Sequence, residues 1–146
     1  MNEPSYPFNN IEDKFTFEFE SISEKKSIKK LIQFRLVNSS LSIYNLALVD
    51  ILPDGDVSDL SISNNQDMPK VLATVFQAID YFFEKHSTAK VLIQGSTKSR
   101  TRLYQIAISK YLAELEHKYS IWGFIDDHFE YFTKGNNYDG FIIGRK

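Results

Sequence analysis

Residues 89–105 read AKVLIQGSTKSRTRLYQ, and this stretch decides the fold. Val91, Leu92 and Ile93 form a short apolar run bounded by turn residues, as expected of a buried strand. Gly95, Ser96 and Thr97 follow as a cap-like run. From Thr97–Ser99 to about His117, the residues Leu103, Ile106, Ala107, Tyr111 and Leu115 recur at helical spacing and predict a helix burying that face.

The junction carries an electrostatic conflict. A helix N-terminus bears partial positive charge and unpaired N–H groups, so Lys98, Arg100 and Arg102 there cost stability unless an anion lies opposite. Gly95 allows close backbone approach, and Ser96, Thr97 and Ser99 supply hydroxyls. Gly95, Ser96, Thr97, Lys98, Ser99, Arg100 and Arg102 are therefore the expected ligand site, for a phosphate-bearing molecule or an acidic protein segment. The run is not a Walker A loop, which needs a second glycine before Lys-Ser/Thr. The structural alternative is a plain serine cap whose arginines bond Asp50, Asp54 or Asp126.

Upstream, Phe15, Phe17 and Phe19 alternate with Thr16, Glu18 and Glu20, the period of a strand with one wet face. Residues 23–27 turn the chain, and Ile28 to Val37 reads as the second strand of a hairpin. Ile43 to Leu52 is apolar on both faces, like a central strand, and Val57 to Ser63 is a shorter one after the Pro53-Asp54-Gly55-Asp56 turn. Asp67 caps a long amphipathic helix with Pro69 in its first turn; Val71, Leu72, Val75, Phe76, Ile79, Phe82 and Phe83 form its apolar stripe, ending near His86. Downstream, Ser120 to Ile125, Phe129 to Thr133 and Tyr138 to Gly144 read as three strands, with turns at 126–127 and 135–137. The fold class is α+β: a mixed, mainly antiparallel sheet in the order ββββ-α-β-α-βββ, with two long helices. Residues 1–13 are expected to be a flexible arm and 14–146 a single domain.

The chain has 146 residues, 42% of them hydrophobic, enough for one ordinary core. No stretch approaches the ~20 apolar residues that span a bilayer, and residues 1–10 are polar with two prolines, so no membrane contact and a cytoplasmic location are the default expectations. The absence of cysteine excludes disulfides, thiolate metal sites and cysteine nucleophiles. A net charge of −2 argues against nonspecific coating of nucleic acid. The charge is blocked, however: residues 25–49 and 89–113 hold bases without an acid, and 50–67 hold aspartates without a base.

Ile62-Ser63-Asn64-Asn65, the run from Gly95 through Arg102-Leu103-Tyr104-Gln105, and Lys134-Gly135-Asn136-Asn137-Tyr138 resemble an uncharacterised bacterial family carried as a domain of unknown function. The resemblance brings no assigned activity, and it leaves any cofactor unknown. From the second strand onward, the order of elements also looks like the acyl-CoA N-acyltransferase (GNAT) fold, in which the loop after the fourth strand wraps a pyrophosphate with backbone amides. That loop has the form Gln/Arg-x-x-Gly-x-Gly/Ala; here Gln66 matches, while Pro69 and Val71 replace the glycines. The resemblance implies Gln66 as a cofactor contact and Tyr119, followed by Gly123-Phe124, as the general-acid tyrosine of an acyl-CoA-dependent transferase.

A third reading is single-stranded nucleic acid, since four strands followed by a helix are also similar to the Whirly and PUR binders. Lys26, Lys29, Lys30 and Arg35 would contact phosphates beside stacking Trp122, Phe124, Phe129, Tyr131, Phe132, Tyr138 and Phe141. No metal site is expected: Asp54, Asp56 and Asp59 lack a calcium loop's glycine and terminal glutamate, and His86, His117 and His128 lack i,i+4 pairing. The leading expectation is a non-catalytic or degenerate binding domain with its anion site at 95–104. An exposed edge strand would allow a homodimer.

Overall fold

The computed structural model describes residues 4–10, 15–22, 27–55, 57–58 and 67–146. Its first strands form an antiparallel meander: β1 (Phe8–Asn10), β2 (Thr16–Ile22), β3 (Ser27–Asn38) and β4 (Ile43–Ile51) pair in sequence order. After the two-residue β5 (Val57–Ser58), helix α1 (Met68–Lys85) carries the chain to β6 (Lys90–Ile93), which lies parallel to β4. Helices α2 (Lys98–Lys110) and α3 (Leu112–Lys118) lead to β7 (Tyr119–Ile125), β8 (His128–Tyr131) and β9 (Gly140–Arg145). β9 inserts between β6 and β7, giving the order β1-β2-β3-β4-β6-β9-β7-β8, with β5 on β4. The architecture is thus α+β with a mixed, mostly antiparallel sheet.

Alternation sets the faces. Phe17, Phe19, Ile32, Phe34, Leu46, Leu48, Val91, Ile93, Ile121, Phe141 and Ile143 point into one core cluster shared with all three helices. The helices therefore cover one face. Every apolar residue expected on α1 is buried there, and Phe82 stacks on Phe34 with centroids 4.2 Å apart.

Four expectations change. The helix expected through His117 is two, broken at Tyr111 (φ −111°, ψ 17°); because Ala107, Tyr111 and Leu115 keep their spacing across the break, the pattern hides it. The face of α2 is also rotated: Thr101, Tyr104, Ala107 and Ile108 are buried, while Ile106 is exposed. Where a flexible arm was expected, residues 4–10 are docked. Tyr6 is 5% exposed, its N–H donates to Thr74 Oγ1 at 2.8 Å, and its hydroxyl donates to Asp67 Oδ2 at 2.5 Å, an oxygen that also accepts from Ser21 Oγ. Asp67 stands at the N-cap of α1 as expected, but its carboxylate holds the N-terminal segment rather than the helix amides. The strand expected over 57–63, fourth in the sequence order, is β5 because β1 precedes it, and is described at 57–58; 59–63 lie outside the described residues.

Candidate functional site

At the strand–helix junction the chain satisfies part of its own helix end. Thr97 is the N-cap of α2, and its Oγ1 accepts the Arg100 N–H at 3.1 Å. Thr101 Oγ1 donates to the Thr97 carbonyl at 3.2 Å and accepts the Gly95 N–H at 2.9 Å. A Cβ on Gly95 would stand 2.5 Å from the Thr101 nitrogen, so this glycine is required for the strand exit to pack against the helix. Ser96, Thr97, Lys98 and Ser99 are exposed.

The cations of the junction point two ways: Arg100 parts from Lys98 and Arg102, which are both exposed. Arg100 turns inward, where its Nη1 donates to the Leu48 carbonyl at 3.0 Å, beside Lys30 and Tyr104 in a small cavity. Burial pushes the Tyr104 phenol up to about 12, a rise that the positive charge of Arg100 partly offsets. Arg102 turns outward. With Ile106, Ser109 and Lys110 on successive turns of α2 it forms one wall of a groove of about 610 Å³, whose other wall is Lys134, Gly135 and Asn137. Among the described residues no carboxylate lines this groove. Neither Arg102 nor Lys134 has an ion-pair partner among the described residues.

The second wall is braced from within. Gln105 Nε2 donates to the Asn136 carbonyl at 2.5 Å, and its Oε1 accepts the Tyr138 N–H at 3.4 Å. Tyr138 Oη donates to Glu130 at 2.8 Å and accepts the Thr133 N–H, and Asn136 Nδ2 donates to the same carboxylate at 2.9 Å. Those bonds, Tyr138 first, hold the Glu130 carboxyl below its ordinary range. The Tyr138 ring lies where a Gly123 side chain would be, 2.4 Å from an ideal Cβ, so the turn is seated on β7. Gly135 has φ +92°, a left-handed turn position suited to glycine. Two segments singled out in the sequence, 95–105 and 134–138, thus meet. Lys110, Ser109 and Lys134 were missed as site residues; the i+7 and i+8 spacing from Arg102 was the available signal for the first two.

The other sequence candidates fall elsewhere. Lys30 is 2% exposed and ion-paired with the buried Asp50 across β3 and β4. Lys29 and Arg35 are exposed at alternate positions of β3, on the opposite face from Lys30. Lys26, Gln66 and the motif 62–65 lie outside the described residues. Tyr119 is buried at the start of β7, and its hydroxyl has no hydrogen-bond partner among the described residues. It flanks a crevice of about 570 Å³ between α1 and α3, where burial raises the Asp80 carboxyl against the opposing pull of Lys118, 3.6 Å away. His86 caps α1 and stacks on Phe15 at 5.1 Å. Phe132, Tyr138 and Phe141 belong to the core. Trp122 and Phe124 sit at alternate positions of β7 on the helix-free face, paired with exposed Tyr131 and Phe129 of β8. Among the described residues no group of three His, Asp or Glu could hold a metal ion, and no helix is long and apolar enough to cross a membrane.

Residues 2–146 match the model of a family of unknown function, DUF6934. No curated protein and no solved structure matches the chain.

Proposed function

The chain belongs to the DUF6934 family, and from that premise we propose that it is a non-catalytic binding domain for an anionic ligand, a phosphate-bearing molecule or an acidic protein segment. The ligand sits in the groove between the outward face of α2 and the 133–138 turn. The carrying observation is that Arg102 and Lys134, neither ion-paired among the described residues, face one groove that no carboxylate among those residues lines. Gathering like charges costs energy that an anion recovers, and a wall held by Gln105, Tyr138 and Glu130 lowers the ordering cost of binding. Lys98 stands one helical turn before Arg102 and extends the same positive row toward Ser96–Ser99. This relocates the centre of the 95–104 site along α2, away from the helix end that Thr97 already caps.

Thermal unfolding at low salt tests the proposal, using pyrophosphate, nucleotides, CoA, acetyl-CoA, a glutamate-rich peptide and a short single-stranded DNA. Wild type is compared with Arg102→Ala/Lys134→Ala. A ligand at ~100 times its dissociation constant adds roughly 2.7 kcal/mol, a rise of about 8 °C in a domain of this size. The expected result is a shift with at least one anion that the double variant loses. A shift with CoA that survives the double variant would favour the acyl-CoA-dependent transferase reading, and one with DNA alone the nucleic-acid reading. No shift with any probe would overturn anion binding.

A further inference from the structure

We propose that β8 is a self-association edge, through which two copies of this chain pair antiparallel about a two-fold axis at Phe129. β8 ends the sheet, and its outer edge pairs with no strand among the described residues. Edge strands are commonly blunted by lysine, proline or a bulge; His128-Phe129-Glu130-Tyr131 has neither residue and pairs with β7 in unbroken register. Instead, Phe129 is 55% exposed and Tyr131 70% exposed.

Hairpin geometry says which backbone groups are offered. The β7–β8 turn has two residues, Asp126 and Asp127, so Ile125 and His128 form the closing hydrogen-bonded pair and the pairs alternate from there. Phe129 and Tyr131 therefore direct their N–H and C=O groups away from β7, toward a neighbour. With the axis at Phe129, its amide and carbonyl exchange hydrogen bonds with the same groups of the second copy. In that register the His128 of each copy stands opposite the Glu130 of the other, beside the His128–Glu130 contact of 3.3 Å that each copy already makes, and no two carboxylates face each other. Glu130 is already fixed by Tyr138 and Asn136, which keep it ionised and in place. Moving the axis to Glu130 would set two carboxylates face to face.

On the helix-free face the same register joins two aromatic rows. Trp122 stacks on Tyr131 at 5.7 Å and Phe124 contacts Phe129 at 5.5 Å within each copy. Pairing Phe129 with its counterpart makes these rows continuous and takes the exposed rings out of water. No residue lining the α2 groove belongs to β8, and Glu130, which braces the groove's second wall, is unchanged in the variants below, so the two proposals can fail separately.

Sedimentation velocity of the full chain, from about 10 μM to about 1 mM, is the test, because an edge of four residues supports a weak, concentration-dependent dimer. The expected result is a dimer fraction that rises with concentration and is lost in Phe129→Lys and in Tyr131→Lys, but kept in Ile106→Lys. As the chain has no cysteine, Phe129→Cys, with the fold checked by circular dichroism, should crosslink through a short bis-maleimide, and Ile106→Cys should not. A monomer throughout this range would overturn the proposal, as would a dimer indifferent to Phe129→Lys. A monomer whose Trp122 fluorescence is quenched by single-stranded DNA would reassign the face to nucleic acid and overturn it as well.

Discussion

Lys30 and Lys134 are the same residue put to opposite uses. Lys30 lies under the N-terminal half of the sheet, 2% exposed, its ammonium held by the equally buried Asp50. Lys134 stands exposed on a turn facing Arg102 across a groove, with no ion-pair partner among the described residues. The physical difference is solvent. A buried ammonium must be paired because desolvation is costly, whereas an exposed one keeps its hydration and remains available to a ligand. A basic residue thus carries functional meaning only once its burial and its neighbours are known.

The largest effect expected from this contrast is at the buried end. Asp50→Ala removes the carboxylate that balances the buried Lys30 ammonium and should cost about 3–5 kcal/mol in urea unfolding. Lys30→Met/Asp50→Leu, which removes both charges, should recover most of that loss; if it is as unstable as the single variant, the pair is not what separates the two regions.

Next is alkaline stability. Tyr104 is neutral in the fold up to about 12, while in the unfolded chain it ionises near pH 10. Between those values the unfolded state releases a proton that the folded state keeps, so stability falls as pH rises through this window, by a few kcal/mol in all. The contribution is intact below pH 10. Tyr104→Phe should flatten this loss without abolishing it, because the Tyr6 phenol is also raised, by burial and by its bond to Asp67. Alkaline unfolding of both proteins, followed by circular dichroism, decides it.

A smaller effect is predicted at the docked N-terminal segment. Tyr6→Phe leaves the ring on Phe19 but removes the hydroxyl that bonds Asp67 and Ile22, and should cost about 1.5 kcal/mol. No change in the urea midpoint would mean that this segment is not tied down by its polar contacts. The smallest effect belongs to the groove: Arg102→Ala/Lys134→Ala should alter stability by no more than about 0.5 kcal/mol while removing the ligand-dependent shift. A large destabilisation there would collapse the distinction from Lys30.

Much of this was legible in the chain. The stripe from Val71 to Phe83 identifies α1 and its buried face, because seven apolar residues at helical spacing leave one orientation open. Helix α2 is harder. Leu103 and Ile106 make one apolar row, Tyr104 and Ile108 another, and the choice is made by Thr101 packing under Gly95, a contact between separate elements. The arginines at the start of α2 drew attention to the stretch that also borders the proposed groove. They did not show that Arg100 would turn to the Leu48 carbonyl and Arg102 to Lys134, since the three helical positions differ only by rotation about the axis.

By itself, the sequence determines the period of each element, the chemistry of each face and the separation of charge into blocks, because these depend on residues a few positions apart. Only the tertiary structure decides which cations become neighbours. Gln105 reaches Asn136 across 31 residues because β9 returns between β6 and β7 and brings the 133–138 turn against α2. Strand order of that kind is settled by competition among whole-sheet arrangements, and no local pattern of polar and apolar residues encodes it.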